Sequence, residues 1–242
     1  MDATLFVTCL ADTFYPEAAR AAARVLEKLG FSLACPREQT CCGQPMFNAG
    51  YFDQARGVAR HFMKVFGKRP GPIIAPSSSC AAMVREHYPR LFQDEPDSLE
   101  QARALGARTF EFSEFLFKQL GVDLKKHDAA FEASVTFHYS CHFRAIGVGD
   151  EPIDLIRQIS GIEYRPLEQM DQCCGFGGTF SLNFPHVSKG MVTEKVRCIE
   201  KTGADWLIFS DPGCAMNITG YANRIGRPMK AMHLAELILK AL

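Results

Sequence analysis

The chain of 242 residues has no surplus of charge: 27 Lys and Arg stand against 27 Asp and Glu. That removes the simple electrostatic case for nucleic acid or an anionic membrane surface as a partner. Long apolar runs are missing too. None approaches the roughly 18 residues a spanning helix needs, so no transmembrane segment is expected. The N-terminus, Met1-Asp2-Ala3-Thr4-Leu5, has an acid where a signal peptide carries lysine or arginine. A soluble, cytoplasmic protein is the expectation. No Gly-x-Gly-x-x-Gly fingerprint occurs, which leaves nicotinamide and flavin without support. Nor is there a Cys-x-x-Cys knuckle of the kind most small zinc modules use.

Cysteine, by contrast, is abundant. Ten are present, at positions 9, 35, 41, 42, 80, 141, 173, 174, 198 and 214. A secreted disulfide scaffold is usually short and poor in core, whereas this chain is long and 47% apolar. Thiols at fixed spacings in a reducing compartment point to metal binding or redox chemistry.

The spacings repeat. Cys9 is followed 32 positions later by Cys41-Cys42-Gly43, and Cys141 is followed 32 positions later by Cys173-Cys174-Gly175. The next cysteine comes 38 positions after Cys42, at Cys80, and 40 positions after Cys174, at Cys214. Ile73-Ile74-Ala75-Pro76-Ser77-Ser78-Ser79-Cys80-Ala81 parallels Leu207-Ile208-Phe209-Ser210-Asp211-Pro212-Gly213-Cys214-Ala215. About a dozen extra residues fall in the first copy, within Tyr88 to Ala107. A duplication is inferred. Residues 1–124 form the first domain, a polar join spans Gly121 to Glu132, and residues 131–242 form the second domain. Eight cysteines are paired by the repeat. Cys35 and Cys198 are not, and both read as buried small hydrophobes.

Apolar periodicity predicts strands at Thr4–Thr8, Phe31–Ala34, Pro72–Ala75 and Arg108–Phe110. Helices are predicted at Tyr15–Leu29, about Tyr51–Phe66, from Cys80, and towards Leu120. The second half repeats the order. Strands are expected at Ser134–His138, near Ile162–Tyr164, at Trp206–Phe209 and at Met229–Met232. Helices are expected at Pro152–Ile159, at His186–Lys201, after Pro212 and at the C-terminus. The fold class is therefore α/β: a tandem duplication of two small Rossmann-like domains, each a parallel sheet of about four strands flanked by helices. In such sheets ligands sit at the carboxyl ends of the strands. Cys9, Cys41, Cys42 and Cys80 all lie just past strand ends, as do Cys141, Cys173, Cys174 and Cys214.

Soft sulfur ligands select iron–sulfur clusters or zinc, and vicinal thiols also permit disulfide exchange. Gly43 and Gly175 would let bare backbone amides approach the sulfurs. His138 and His142 flank Cys141. Each is either a ligand, a donor to the sulfurs, or a hydrogen-bonded structural histidine. Gly175, Gly177 and Gly178 read as a tight turn, since no Lys-Ser or Lys-Thr follows to make a phosphate cradle. Arg144 and the Lys125-Lys126 pair read as solvated. Phe110, Phe112, Phe115 and Phe117 read as core with a partner-facing stripe.

The double Cys…Cys-Cys-Gly…Cys pattern, with His138-Tyr139-Ser140-Cys141-His142 and Cys173-Cys174-Gly175-Phe176-Gly177-Gly178, resembles the cysteine-rich CCG domain family. That family includes the cysteine-rich component of heterodisulfide reductase, the iron–sulfur component of glycolate oxidase, and the lactate utilization proteins. Two CCG halves without an added ferredoxin domain resemble the lactate utilization branch most. The heterodisulfide reductase version ends each motif in Cys-x-x-Cys. Here those places read Cys80-Ala81-Ala82-Met83 and Cys214-Ala215-Met216-Asn217. The resemblance implies an iron–sulfur subunit, with one 4Fe–4S type cluster per half, that carries electrons in the oxidation of L-lactate to pyruvate. It also implies two companion lactate-utilization subunits and a small 2-hydroxy acid substrate met through the complex. A zinc-bound scaffold and a thiol–disulfide reductase remain as alternatives, and no catalytic residue is assigned.

Overall fold

A computed structural model describes residues 1–242. The first half contains β1 (Asp2–Leu5), α1 (Cys9–Phe14), α2 (Pro16–Lys28), β2 (Ser32–Ala34), α3 (Gln44–Asn48), α4 (Phe52–Phe66) and β3 (Ile73–Ala75). It continues through α5 (Ser78–Ala82), α6 (Tyr88–Leu91), α7 (Pro96–Ala107), β4 (Thr109–Glu111) and α8 (Phe112–Glu114). The second half contains β5 (Ala130–His138), α9 (Cys141–Ala145), α10 (Glu151–Arg157), β6 (Ser160–Tyr164), α11 (Phe180–Asn183) and α12 (Pro185–Thr202). It ends with β7 (Trp206–Phe209), α13 (Pro212–Arg224), β8 (Lys230–His233) and α14 (Leu234–Ala241).

Each half forms one four-stranded sheet, in the orders β2-β1-β3-β4 and β6-β5-β7-β8. Every strand pairing is parallel. The expected α/β duplication is thus present, with the same strand order in both copies. Parallel strands need crossovers, and helices supply them. The helix α2 shows how sequence sets one. Pro16 opens it with φ already suited to a helix, Lys28 sits at its negative end, and Gly30 leaves it in the left-handed region at φ 85°.

The copies also correspond in burial. The buried side of α4, Ala55, Ala59, Phe62, Met63, Val65 and Phe66, matches in spacing Ser188, Val192, Lys195, Val196, Cys198 and Ile199 of α12. Cys198 therefore stands where the first half has Val65, and it is fully buried as a packing residue.

The two halves pack as a pseudo-twofold pair. The helix after the first cysteine of each copy, α1 or α9, touches the helix after the last cysteine of the other, α13 or α5. Likewise α2 lies on α14, and α10 lies on α8. One core of 50 buried residues runs through both halves, so they do not behave as separate lobes. A second cluster of 10 surrounds Cys174 and Cys214.

Several boundaries differ from expectation. The strand β1 ends at Leu5, because Phe6 to Thr8 already turn the chain toward Cys9 and α1. The short helices α1, α9, α3 and α11 were not legible, being too short for a periodic pattern. The extra residues of the first half fold as α7, with Pro96 as its first residue. The strand β5 starts inside the expected join, at Ala130, and the join itself holds a 3₁₀ turn at Leu124–His127 with Leu124 buried. Phe112 and Phe115 are buried, and Phe110 and Phe117 pack against the core.

At the end of β4, the wholly buried Glu111 caps α8. Its Oε2 accepts from the amides of Ser113 (2.7 Å) and Glu114 (3.1 Å), while Oε1 has no partner. Burial raises its pKa from the ordinary 4.5 to about 8. Between those values the unfolded chain has lost a proton that the folded chain retains. Stability therefore falls as pH rises through that window. Glu111→Gln is expected to flatten the decline between pH 5 and 8 in chemical denaturation. An unaltered pH slope in that variant contradicts the assignment.

Candidate functional site

The carboxyl edge of each sheet gathers one cysteine quartet. In the first, Cys9 opens α1, Cys41 and Cys42 follow β2 on a loop, and Cys80 sits in the first turns of α5. The thiols touch in sequence: Cys9 Sγ lies 3.7 Å from Cys41 Sγ, Cys41 contacts Cys42, and Cys42 contacts Cys80. In the second, Cys141 contacts Cys173, Cys173 contacts Cys174, and Cys174 contacts Cys214. All eight cysteines paired by the repeat are brought together in two groups of four. Exposure grades alike in both, except at the first cysteine. Cys42, Cys80, Cys174 and Cys214 are buried, Cys41, Cys141 and Cys173 are half-buried, and Cys9 is exposed.

The glycine after each pair shapes its loop. Gly43 and Gly175 have φ of 88° and 83°, a region that side chains rarely adopt. Their amides donate to Cys41 Sγ and Cys173 Sγ, each at 3.4 Å. A Cβ on Gly175 would lie 2.9 Å from the Ser188 carbonyl oxygen, so the pair also packs directly on α12. The carbonyl behind each pair is held by a different donor. Tyr88 Oη donates to the Cys42 oxygen at 2.9 Å, and Asn217 Nδ2 donates to the Cys174 oxygen at 2.8 Å.

Charge is concentrated on one sulfur per quartet. Hydrogen bonds from the Cys42 and Cys9 thiols, with the Gly43 amide, lower Cys41 to about 3 despite burial. Bonds from Cys141 and Cys174 lower Cys173 in the same way. Cys9 and Cys141, as donors to those sulfurs, are pushed up, as are Cys42 and Cys174. In each quartet these contacts favour a thiolate at the first cysteine of the pair and the protonated form at the two thiols beside it.

Two more features fit a bound metal or cluster. Thr8 and Ser140 precede the first cysteine of each copy at equivalent positions, are buried, and have hydroxyls with no protein partner. Buried hydroxyls normally have partners, and these two face groups of sulfur acceptors. A cavity of about 200 Å3 opens beside the first quartet, lined by Thr8, the four cysteines and, from the second half, Phe176, Thr179 and Asp211. The donor chemistry and the orphaned hydroxyls fit a soft metal or an iron–sulfur cluster in each half.

Asp211 ties the quartets together. It caps α13, its Oδ1 accepting from the amides of Gly213 (3.1 Å) and Cys214 (3.4 Å). Its Oδ2 crosses to the other half and accepts from Ser79 N (2.8 Å), Ser78 Oγ (3.1 Å) and Ser77 Oγ (3.2 Å) at the start of α5. Burial alone would raise its pKa, yet the nearby His142 and the Ser79 bonds hold it below the usual range.

The remaining candidates divide. His142 is a structural contact between halves, its Nε2 2.9 Å from Gln44 Nε2, with Nδ1 3.7 Å from Cys141 Sγ. His138 is fully enclosed, and neither ring nitrogen has a partner. Burial, reinforced by the Lys195 charge, lowers its pKa to about 3, so the ring is neutral. Arg144 is solvated and pairs with Asp171 at 3.3 Å. Gly175, Gly177 and Gly178 all have positive φ, as a tight turn requires. Cys35 corrects the expectation of a buried hydrophobe. It is exposed on the loop after β2 and accepts from Gln39 Nε2 at 3.3 Å, because Pro36 leads the chain off the sheet edge before it can turn inward. Lys195, Asp211, Thr8 and Ser140 were not singled out from sequence. The signal that could have found Lys195 is its place on the apolar face of α12.

Asp211→Ala removes the cap of α13 and the acceptor of three donors on α5. It is expected to lower stability by about 2–4 kcal/mol in urea denaturation, more than a surface cap does. A loss under about 1 kcal/mol would mean that the bridge is structurally idle.

Comparison with known proteins agrees with this arrangement. The CCG cysteine-rich domain matches residues 3–85 and again 135–219, one match around each quartet. Lactate utilization protein A of Halalkalibacterium halodurans is 45% identical over 239 residues, covering 98% of this chain and 96% of that protein. The protein of that name from Geobacillus kaustophilus is 42% identical, with 98% of both chains covered. Among solved structures, a hypothetical protein from Helicobacter pylori superposes with a TM-score of 0.69 at 11% identity, over 99% of this chain and 48% of that one, which shows a shared fold. The chain belongs to the cysteine-rich CCG domain family and, within it, to the lactate utilization protein A group.

Proposed function

We propose that this protein is an iron–sulfur electron-transfer subunit of a multi-protein system that oxidises L-lactate to pyruvate. The observation that carries the reading is the pair of equivalent cysteine quartets, each with one stabilised thiolate and an orphaned hydroxyl. Cys9, Cys41, Cys42 and Cys80 would hold the first cluster, of 4Fe–4S type, and Cys141, Cys173, Cys174 and Cys214 the second. A bound cluster supplies reversible one-electron transfer. Oxidation of lactate to pyruvate releases two electrons and two protons, and two one-electron centres match that electron count.

The residues of the chain set the conditions for transfer. The amides of Gly43 and Gly175 donate to sulfur, which stabilises the reduced, more negative state. Burial of Cys42, Cys80, Cys174 and Cys214 keeps water from half of each ligand set. Exposure of Cys9 leaves one side of the first centre within reach of a redox partner. The names of the relatives support the lactate reading, and two companion subunits are part of it, one of which would bring the 2-hydroxy acid. A cytoplasmic assembly is part of the proposal; no helix is long and apolar enough to cross a membrane.

Zinc in one or both sites is the second reading, favoured by the group of His138, Cys174 and Cys214, whose ligand atoms lie within 4.8 Å of one another. Anaerobic purification decides between them. Iron and acid-labile sulfide in stoichiometric amounts, with an EPR signal on reduction, are expected. Colourless protein holding zinc and no sulfide, even after anaerobic reconstitution, rules the iron–sulfur reading out. Cys41→Ser or Cys80→Ser should remove one half of the iron, and Cys173→Ser or Cys214→Ser the other half. Loss of all iron from any one of these variants contradicts two separate centres.

A further inference from the structure

The duplicated halves differ beneath their quartets. Phe6 of the first half is fully buried and meets Phe62 edge-to-face, with ring centroids 5.0 Å apart. Three residues before Cys141, at the position of Phe6, the second half has His138. Where α4 has Phe62, α12 has Lys195. Both replacements are buried, His138 at 1% and Lys195 at 0% exposure. An apolar pair has become an imidazole and an ammonium.

Lys195 is satisfied. Its Nζ donates to the carbonyls of Gln169 (2.9 Å) and Met170 (3.3 Å), bracing the loop that leads to Cys173. His138 is not satisfied, since neither Nδ1 nor Nε2 has a partner. Leaving such a group unpaired in the interior is costly, so it calls for an acceptor or a metal that the polypeptide does not supply. One of its nitrogens, Cys174 Sγ and Cys214 Sγ lie within 4.8 Å of one another, and all three residues are buried. The other nearby imidazole, His142, is engaged across the halves by Gln44. Imidazole and thiolate together suit iron and zinc alike.

We propose that His138 is a nitrogen ligand of the second centre beside Cys174 and Cys214, so that this chain carries one all-sulfur site and one mixed nitrogen–sulfur site. The inference rests on the reading of the quartets as metal centres and names the atom that distinguishes them. A neutral imidazole adds no negative charge to its metal, as a thiolate does. With the imidazole in place of one of the four thiolates, the second centre would carry one negative charge fewer and would have the higher potential of the two.

Two measurements test this. The metal-free protein is titrated anaerobically with Co2+ alone, which reports sulfur ligation by charge-transfer bands and geometry by d–d bands. Two sites are expected. In His138→Phe, which restores the residue of the first half, one of the two should weaken by about 10-fold or more with altered d–d bands, while the other stays as it was. Unchanged Co2+ affinity and spectrum in the folded variant overturn the proposal. The second measurement needs no variant. After anaerobic reconstitution with iron and sulfide, wild-type protein carrying 15N-histidine should show a directly coordinated nitrogen by pulsed EPR on one of its two signals. Only weak nitrogen coupling on both signals overturns the proposal as well. If the wild type binds Co2+ but takes up no iron and sulfide, the iron–sulfur reading fails, and the cobalt titration still decides the role of His138.

Discussion

Four sulfur atoms that repel one another once ionised must be held in contact, and that requirement organises the molecule. No local motif does it, because the cysteines of each quartet are spread over most of a domain in sequence. A parallel sheet solves the problem, since all its strands point their carboxyl ends the same way and successive loops share one edge. Cys9, the Cys41-Cys42 pair and Cys80 follow successive strands, and they meet because β1, β2 and β3 are neighbours. The positive-φ glycine after each pair lets two consecutive side chains turn toward the same point. The thiols on either side then share a single negative charge at Cys41 or Cys173.

Neither half completes its site alone. The cavity beside the first quartet is walled partly by Phe176, Thr179 and Asp211 of the second half. Asp211 divides its two oxygens between the helix that carries Cys214 and the helix that carries Cys80. Gln44, two residues past Cys42, meets His142, one residue past Cys141. The continuous core is the apolar counterpart of these polar links. The two quartets are thus joined by residues fixed by hydrogen bonds across the interface of the halves.

The duplication, the α/β order and the convergence of eight cysteines were legible because they rest on repeated residue types at repeated spacings. Strand and helix periodicity placed most long elements within a few residues. Features that depend on how the halves meet were not legible. Asp211 reads as an ordinary N-cap, and only packing shows that its second oxygen crosses the interface. Lys195 lies between Glu194 and Arg197 in a charged stretch and does not stand out, although helical spacing sets it on the buried face of α12. Cys35 misled in the opposite direction. Cysteine is buried more often than not, but the chain leaves β2 at that residue with its thiol outward. The histidines flanking Cys141 could not be ranked from sequence, because one faces the other half and the other faces the sulfurs.

After a duplication, positions that serve packing alone are free to drift within apolar types, and positions that serve a shared chemistry stay alike. The cysteines, the following glycines and the hydroxyls of Thr8 and Ser140 have stayed alike. The carbonyl behind each pair is held in both halves, by Tyr88 in one and Asn217 in the other, so the constraint survived while the residue changed. The exchange of Phe6 and Phe62 for His138 and Lys195 fits neither pattern. It places two groups that are costly to bury where an aromatic pair packs well. Lys195 recovers part of that cost from two carbonyls, whereas His138 recovers none from protein. Packing cannot account for such a replacement. The proposed ligation of a metal by His138 would account for it, because it would give the buried imidazole the partner that the polypeptide does not supply.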